Sequence, residues 1–258
     1  KPYLRQPIGK TWEEYTWGEV GDMARRLASG LKSLNLREGA HIGIYSKNCR
    51  EWIISDLAIV MAGYISVPFF PSLNGKELSY IMDYGDVDAL FIGKIETWDD
   101  IKNDLPSEMP IIRFPKYEGC SNVTKGHEWH EFISSHEPIE NPHQPKLSDL
   151  WTIIFTSGTT GNPKGVMLTY QAIDGIKVVL DDPNNPLGIK HTGNNDFISY
   201  LPLNHIFERV VIEWCSFRYG GTISFVESIE TFGQNLKEAQ PHVSVSYTHL
   251  TLPTMYTV

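Results

Sequence analysis

The sequence predicts an α/β fold in which mostly parallel β-sheets are flanked by helices. Amphipathic helical stripes alternate with short apolar runs over the first 93 residues, and the alternation returns near residue 196. Strands that alternate with helices are joined by crossovers, so they pair in parallel and carry the helices on the faces of the sheet. The chain has 258 residues, 41% hydrophobic and 21% charged, which is typical of a globular protein. No internal repeat or linker interrupts the pattern, which favours one α/β unit.

The first predicted helix begins at a capping box formed by Thr16 and Glu19. Apolar residues then recur every three or four positions, at Val20, Met23, Leu27, Leu31 and Leu34. A strand follows over His41–Ser46, and Asn48 and Glu51 are predicted to cap a second helix. The second helix is expected to form the first crossover of the sheet, from the strand His41–Ser46 to the next strand.

Later elements are predicted from the same two patterns, amphipathic helical stripes and short apolar runs. They are strands Ile65–Phe70, Asp88–Gly93, Asp196–Pro202 and Thr222–Val226, and helices Lys76–Tyr84, His205–Tyr219 and Ile229–Glu238. The Ile111–Phe114 segment is expected to be ordered. Thr169 is predicted to cap a further helix, and the Trp129–Ser134 region is expected to be ordered.

A polar loop between two apolar runs is the strongest functional signal. The segment TSGTTGNPKG, Thr156–Gly165, follows Trp151–Phe155 and precedes Val166–Leu168, so we predict a loop between two buried strands. Glycines allow a ligand to approach the backbone, and successive N–H groups form a concave anion site. Hydroxyl and ammonium donors are added by Thr156, Ser157, Thr159, Thr160 and Lys164. This chemistry suits a polyphosphate.

Two other phosphate-binding patterns fit less well. The Walker loop needs a lysine followed by serine or threonine, whereas Lys164 is followed by a glycine, and no G-x-G-x-x-G is present. A plain polar hairpin loop is the structural alternative. It is disfavoured because a solvated turn needs neither four hydroxyls nor a lysine.

The loop and two further segments resemble the adenylate-forming (AMP-binding) superfamily of acyl-CoA synthetases, luciferases and peptide-synthetase adenylation domains. TSGTTGNPKGVMLTY resembles its phosphate-binding signature, and YLPLNHIFER (Tyr200–Arg209) resembles its next motif in the form of long-chain fatty acid CoA ligases. A broader likeness covers Asn48–Leu73. The resemblance runs from about Thr11 to about Pro241 and implies an incomplete N-terminal adenylation domain.

The resemblance also implies roles for particular residues. The ATP phosphates would be held by Thr156, Ser157, Gly158, Thr159, Thr160, Gly161 and Lys164. Lys164 would neutralise the leaving pyrophosphate, and His205 would border the acyl and nucleotide pockets. The alternatives that stay open are a solvated loop lysine and a plain N-terminal helix histidine. Glu208 and Arg209 fit the long-chain motif and are equally consistent with a structural ion pair.

Several family motifs are not found in this sequence. They are a glutamate that helps to hold magnesium, an aspartate that binds the ribose and a lysine from a C-terminal lid. We therefore expect residues 1–244 to be the N-terminal part of the adenylation domain, with the lid absent, no metal site and no confirmed catalytic residue. Residues 245–258 resemble translated adapter DNA and are expected to be a non-native tail, a genuine strand being the rival interpretation.

Composition limits the remaining classes of function. The net charge of −9 argues against nucleic-acid binding, which needs clustered lysine and arginine. Three distant cysteines predict reduced thiols in a cytoplasmic protein. Four histidines are interpreted as surface-loop residues, not metal ligands: His127, His130, His136 and His143.

The expected reaction is the ATP-dependent activation of a long-chain fatty acid to acyl-adenylate and then acyl-CoA. The implied cofactors and partners are ATP, Mg²⁺, the fatty acid and coenzyme A as co-substrate, and the chain by itself is expected to be inactive. Peripheral membrane contact is compatible with a fatty substrate, although no anchor is visible. Two other functions stay open: a ligase for medium-chain or aromatic acids, and a non-catalytic nucleotide-binding module.

Overall fold

The computed structural model describes residues 1–156, 163–182, 184–185, 187–189 and 193–245. The strands are β1 (Pro2–Ile8), β2 (Thr11–Thr16), β3 (His41–Ser46), β4 (Ile65–Phe69), β5 (Val87–Gly93), β6 (Ile111–Arg113), β7 (His127–Glu128), β8 (Leu150–Thr156), β9 (Lys164–Thr169), β10 (Asp196–Ser199), β11 (Thr222–Phe225) and β12 (Val243–Ser244). The helices are α1 (Trp17–Ser33), α2 (Arg50–Met61), α3 (Gly75–Tyr84), α4 (Trp98–Ile101), α5 (Trp129–Ser134), α6 (Tyr170–Asp174), α7 (Lys177–Leu180), α8 (Ile206–Glu208), α9 (Cys215–Tyr219) and α10 (Phe232–Ala239). A π-helical segment, Arg209–Trp214, joins α8 to α9.

The strands form two sheets, and both are mostly parallel, as predicted. A seven-stranded sheet has the order β7-β6-β5-β3-β4-β8-β9, and a five-stranded sheet has the order β12-β10-β11-β1-β2. Among the described strands, the antiparallel pairs are β8–β9 and β1–β2. The remaining pairs are parallel, as crossover connections require.

Helix α2 connects the cores of the two sheets. It contacts β3 and β4 of the larger sheet and β1 of the smaller one. Its Trp52 and Ile53 are fully buried in a cluster that contains Ile44 from one sheet and Phe197 from the other. The opposite face of the larger sheet is covered by a second cluster that includes residues of α3 and α4. The larger sheet is therefore buried on both faces, which explains its near-continuous apolar strands.

The capping box of α1 is confirmed. The Thr16 hydroxyl oxygen accepts from the Glu19 amide at 3.3 Å, and the Glu19 carboxylate accepts from the Thr16 amide at 2.7 Å. The two bonds satisfy backbone donors that the first turn of a helix leaves without partners.

The predicted cap of α2 is wrong. The N-cap is Cys49, and no side-chain bond caps the helix. The Asn48 side chain instead bonds to the chain segment that follows β10, and Glu51 is buried where it accepts from Arg50 and Tyr117. Spacing alone suggested a cap because asparagine is a common capping residue.

Strand β9, which follows the predicted loop, is less buried than expected. Val166 is 45% exposed and Met167 is 66% exposed, because β9 is the outermost strand of its sheet. An apolar run bounded by turn signals does not distinguish a central strand from an edge strand.

Three helices differ in extent from their predictions. The helix after Thr169 has no side-chain cap and is divided into α6 and α7, and the last helix begins at Phe232 instead of Ile229. The predicted His205–Tyr219 helix is interrupted by the π-helical segment. Strand β1 was not predicted. It contains Pro2 and Pro7, and its parallel pairing with β11 uses only the residues between them.

The three cysteines are free thiols, as predicted. The predicted non-native tail lies outside the described residues except for Val245, which is buried.

Candidate functional site

The two ends of the predicted phosphate loop are held together by the β8–β9 hairpin. Thr156 ends β8, Lys164 begins β9, and the two are cross-strand partners. Cross-strand partners lie on the same face of a sheet, so the Thr156 hydroxyl and the Lys164 ammonium stand on one face at the mouth of the loop. The other predicted phosphate-binding residues lie outside the described residues: Ser157, Gly158, Thr159, Thr160 and Gly161.

Strand β8 is anchored to its neighbour below this mouth. Thr152 is the register partner of Ser66 in β4, and its hydroxyl donates to the Ser66 carbonyl oxygen at 2.8 Å. On the other side, Gly165 lets β9 approach β8 closely. A Cβ on Gly165 would lie 3.0 Å from the Ile153 Cγ2 and 3.2 Å from the Phe155 ring. A side chain there would require the Ile153 or Phe155 side chain to shift by a few tenths of an ångström.

An apolar cleft of about 610 Å³ lies beside the mouth of the loop. Its lining includes Phe69, Phe70, Tyr80, Phe155, Thr156 and Pro163. The cleft lies where β4 and β8 end, and ligands of open α/β sheets bind outside the carboxyl ends of the strands. The position is therefore suitable for a ligand that also contacts the loop.

His205 comes from the other sheet. It follows β10, is half-buried and is the N-cap of α8, where its Nδ1 accepts from the Phe207 amide at 3.3 Å. A neutral imidazole that accepts at Nδ1 carries its proton on Nε2. The bond to the Phe207 amide thus orients the His205 ring at the start of α8.

Glu208 and Arg209 do not form the structural ion pair that was considered. Glu208 is 1% exposed and accepts from the Ser199 hydroxyl and the Tyr200 amide, both at 3.1 Å. Burial raises the pKa of Glu208 to about 8, although these two hydrogen bonds lower it. The carboxyl therefore ties the first helical turn to the end of β10.

Arg209 is fully buried in a separate network. Its guanidinium donates to the Asp56 carboxylate at 2.5 Å, to Glu213 at 3.2 Å and to the Thr152 hydroxyl at 2.7 Å. It also lies 4.0 Å from the Trp151 ring centroid. Burial, followed by the Asp56 charge, raises the pKa of Glu213 well above its usual range, which leaves Asp56 as the ion-pair partner of the guanidinium.

The Arg209 network connects the two parts of the candidate site, the segment that begins at His205 and the strand that ends at Thr156. Arg209 lies four residues after His205, and its partner Thr152 lies four residues before Thr156. The sequence motif contained Arg209, but nothing in the sequence indicated that its partners would be Asp56 and Thr152.

A change in the pH dependence of stability is expected for Glu208→Gln. The unfolded glutamate ionises near 4.5, so between pH 4.5 and about 8 the folded protein holds one more proton at Glu208. The free energy of unfolding should fall with rising pH in this window, by up to about 1.4 kcal/mol for each pH unit. Glu208→Gln should remove this part of the slope.

Urea unfolding of both proteins at about pH 5.5 and about pH 7.5 measures the slope. Glu118→Gln, which removes an exposed carboxyl, is the matched control. Equal slopes in wild type and Glu208→Gln would show that folding does not protonate Glu208.

A second cleft, of about 600 Å³, lies where strands of both sheets end. Its lining includes Asn48 and Lys94 of the larger-sheet side and Tyr200, Leu201 and Val226 of the smaller-sheet side. Asn48 was predicted as a helix cap and not as a site residue.

Within the described ranges, no group of three or more His, Cys, Asp or Glu side chains could hold a metal ion. These residues alone therefore do not fit a magnesium site. A search of the same ranges finds no helix with the length and apolar character needed to cross a membrane.

Comparison with known proteins places this geometry in context. Residues 1–257 match the family described as AMP-binding enzyme. Long chain acyl-CoA synthetase 5 of Arabidopsis thaliana is 33% identical over 248 residues, which cover 88% of this chain and 36% of that protein. Long chain acyl-CoA synthetase 4 of the same plant is 31% identical over 258 residues, 92% of this chain and 37% of that protein. The chain thus spans little more than a third of the length of these relatives.

Solved structures show the same fold. The anthranilate CoA ligase AuaEII in complex with anthranoyl-AMP superposes with a TM-score of 0.78 at 19% identity, over 93% of this chain and 45% of that one. At this identity the likeness concerns the fold alone.

Proposed function

Because the chain belongs to the AMP-binding enzyme family, we propose that it carries the phosphate-binding part of a long-chain fatty acid CoA ligase. In the proposed reaction, a fatty carboxylate attacks the α-phosphate of ATP, pyrophosphate leaves and an acyl-adenylate is formed. The thiol of coenzyme A then takes the acyl group and AMP leaves.

The observation that carries the proposal is the pairing of Thr156 with Lys164 at the mouth of the loop. It brings one hydroxyl and one positive charge to the same face, next to a glycine-rich segment with further hydroxyls. Fixed donors of this kind stabilise charge that develops on a leaving group. In our proposal Lys164 neutralises the pyrophosphate, and Ser157, Thr159, Thr160, Gly158 and Gly161 bind the phosphates.

His205 has a different proposed role. We propose that it borders the acyl and nucleotide pockets, with its ring oriented by the bond between Nδ1 and the Phe207 amide. The described residues supply no magnesium cluster, so we assign no step to Mg²⁺. Coenzyme A is proposed only as the thiol substrate.

The preference for long chains is supported by two observations. The Tyr200–Arg209 segment has the long-chain form of its motif, and both relatives named above are long chain acyl-CoA synthetases. The alternatives are a ligase for medium-chain or aromatic acids and a nucleotide-binding module without catalysis.

Acyl-CoA formation by the product of the complete gene tests the proposal. We expect the highest kcat/KM on long-chain acids in a series of increasing chain length, with benzoate and a medium-chain acid as comparisons. A maximum on an aromatic or medium-chain acid contradicts the long-chain preference. Saturable ATP binding without any acyl-adenylate would instead identify a nucleotide-binding module.

A further inference from the structure

Asn48 is a buried side chain that binds a chain segment of the opposite sheet. It is 8% exposed, and its Nδ2 donates to the Ser199 hydroxyl at 2.8 Å and to the Leu201 carbonyl at 2.6 Å. Its Oδ1 accepts from the Leu203 amide at 2.9 Å. Both amide N–H groups and the carbonyl are thus used on one short segment. Such complete pairing is what a buried amide needs, and it fixes the geometry of its partners.

Asn48 is itself held in place from both sheets. Its backbone carbonyl accepts from the Lys94 Nζ at 2.8 Å, and the same ammonium donates to the Val226 carbonyl at 3.3 Å. Lys94 is 6% exposed and has a φ of +43°, a conformation that non-glycine residues seldom adopt. Asn48 and Lys94 together tie the ends of β3 and β5 to the ends of β10 and β11.

The segment that Asn48 holds leads directly to His205. The His205 amide donates to the Pro202 carbonyl at 2.9 Å, so the turn that contains Leu201 and Leu203 sets the start of α8. The Ser199 hydroxyl, which accepts from Asn48, donates in turn to Glu208. A shift of this segment would therefore move the backbone of His205 and the first turn of α8 together.

We propose that Asn48 is a positioning residue, which acts through the Leu201–Leu203 segment to hold His205 in the geometry needed for adenylation. The inference rests on the proposed function, in which His205 borders the acyl and nucleotide pockets. It assigns Asn48 no contact with substrate. It differs from a purely structural role because the effect of Asn48 must depend on His205.

Two substitutions distinguish the loss of the Asn48 hydrogen-bond donor from the loss of its side-chain volume. Asn48→Ala removes all three bonds, whereas Asn48→Asp keeps the shape and the acceptor for Leu203 but cannot donate to Leu201. In the product of the complete gene, both should lower kcat for acyl-adenylate formation by about 10- to 100-fold, since a small misplacement of a catalytic group has effects of this size. The KM for ATP should change by less than about twofold, because the Leu201–Leu203 segment that Asn48 holds follows β10 of the smaller sheet, whereas the phosphate loop follows β8 of the larger sheet.

The matched control is Asn195→Ala. Asn195 is 1% exposed and donates to the Gly220 carbonyl at 3.0 Å, at the opposite end of the β10 region. It should lose stability like Asn48→Ala without the fall in kcat. An equal fall in kcat for the two alanine variants would overturn the proposal.

A double-mutant cycle with His205→Ala gives the second readout. If Asn48 acts through His205, Asn48→Ala should lower kcat by less than about twofold in the His205→Ala background. Effects that multiply would contradict the inference.

A measurement that needs no turnover distinguishes failure of this inference from failure of the proposed function. In NMR spectra of the 258-residue chain, Asn48→Ala should shift the His205 ring resonances and Asn195→Ala should leave them in place. That result would support the positioning role even if no acyl-adenylate is formed. Unshifted His205 resonances in Asn48→Ala would contradict it, even for an active ligase.

Discussion

Arg209→Ala is expected to lower the free energy of unfolding by about 3–5 kcal/mol, because it leaves the buried Asp56 carboxylate without its partner. Arg209 has no exposed surface, and it also donates to Glu213 and Thr152. A loss of this size is a large share of the roughly 5–15 kcal/mol that stabilises a typical domain. Urea unfolding followed by circular dichroism measures it.

Arg218→Ala is the matched control. Arg218 lies in α9 and forms an ion pair with Asp181 in which both side chains are nearly half exposed, 48% and 42%. Exposed pairs contribute about 0–1 kcal/mol, so this variant should unfold near the wild-type midpoint. A similar loss for both arginines would contradict the special role of the buried network.

A combined substitution covers the case in which Arg209→Ala does not fold. Arg209→Met with Asp56→Leu and Glu213→Leu removes all three ionisable groups and leaves no unpaired charge. Replacing a buried ionic cluster by apolar residues of similar volume is often neutral or stabilising, so this variant should fold. It should still lose activity if the Arg209–Thr152 bond aligns the two halves of the site.

Lys164→Ala is expected to lower ATP–pyrophosphate exchange by about 100-fold, the effect of removing one preorganised charge donor from a developing anion. The measurement uses the product of the complete gene. Lys164→Arg keeps the positive charge and should retain part of the activity. Because Lys164 is exposed on an edge strand, neither change should alter stability measurably.

Lys10→Ala is the control for this experiment. Lys10 is an exposed lysine in the turn between β1 and β2, in the sheet that does not carry the loop. It should exchange pyrophosphate like the wild type. If Lys164→Ala also exchanges at the wild-type rate, Lys164 is a solvated loop lysine, the alternative that its sequence context left open.

The local elements could be predicted from the sequence because their determinants lie within a few residues. Thr16 and Glu19 cap α1 through bonds that span three positions, and His41–Ser46 forms a strand because it is a short apolar run between turn signals. The Thr156–Gly165 loop was found for the same reason, since its glycines, hydroxyls and lysine are contiguous. For the cap and the strand the sequence alone determined the local structure, and for the loop it supports the proposed chemistry.

Only the tertiary structure decided which distant residues meet. Leu4 pairs with Ile223, which places the first strand in the smaller sheet beside a strand more than 200 residues later. Asn48 binds the segment before His205 instead of capping its own helix, and Arg209 donates to Asp56 and Thr152 instead of pairing with Glu208. A periodic pattern reports which face of an element is apolar and gives no information about its distant neighbours. The partner of a buried polar side chain is set by how the sheets pack, because each such group must find a donor or acceptor wherever the fold places it.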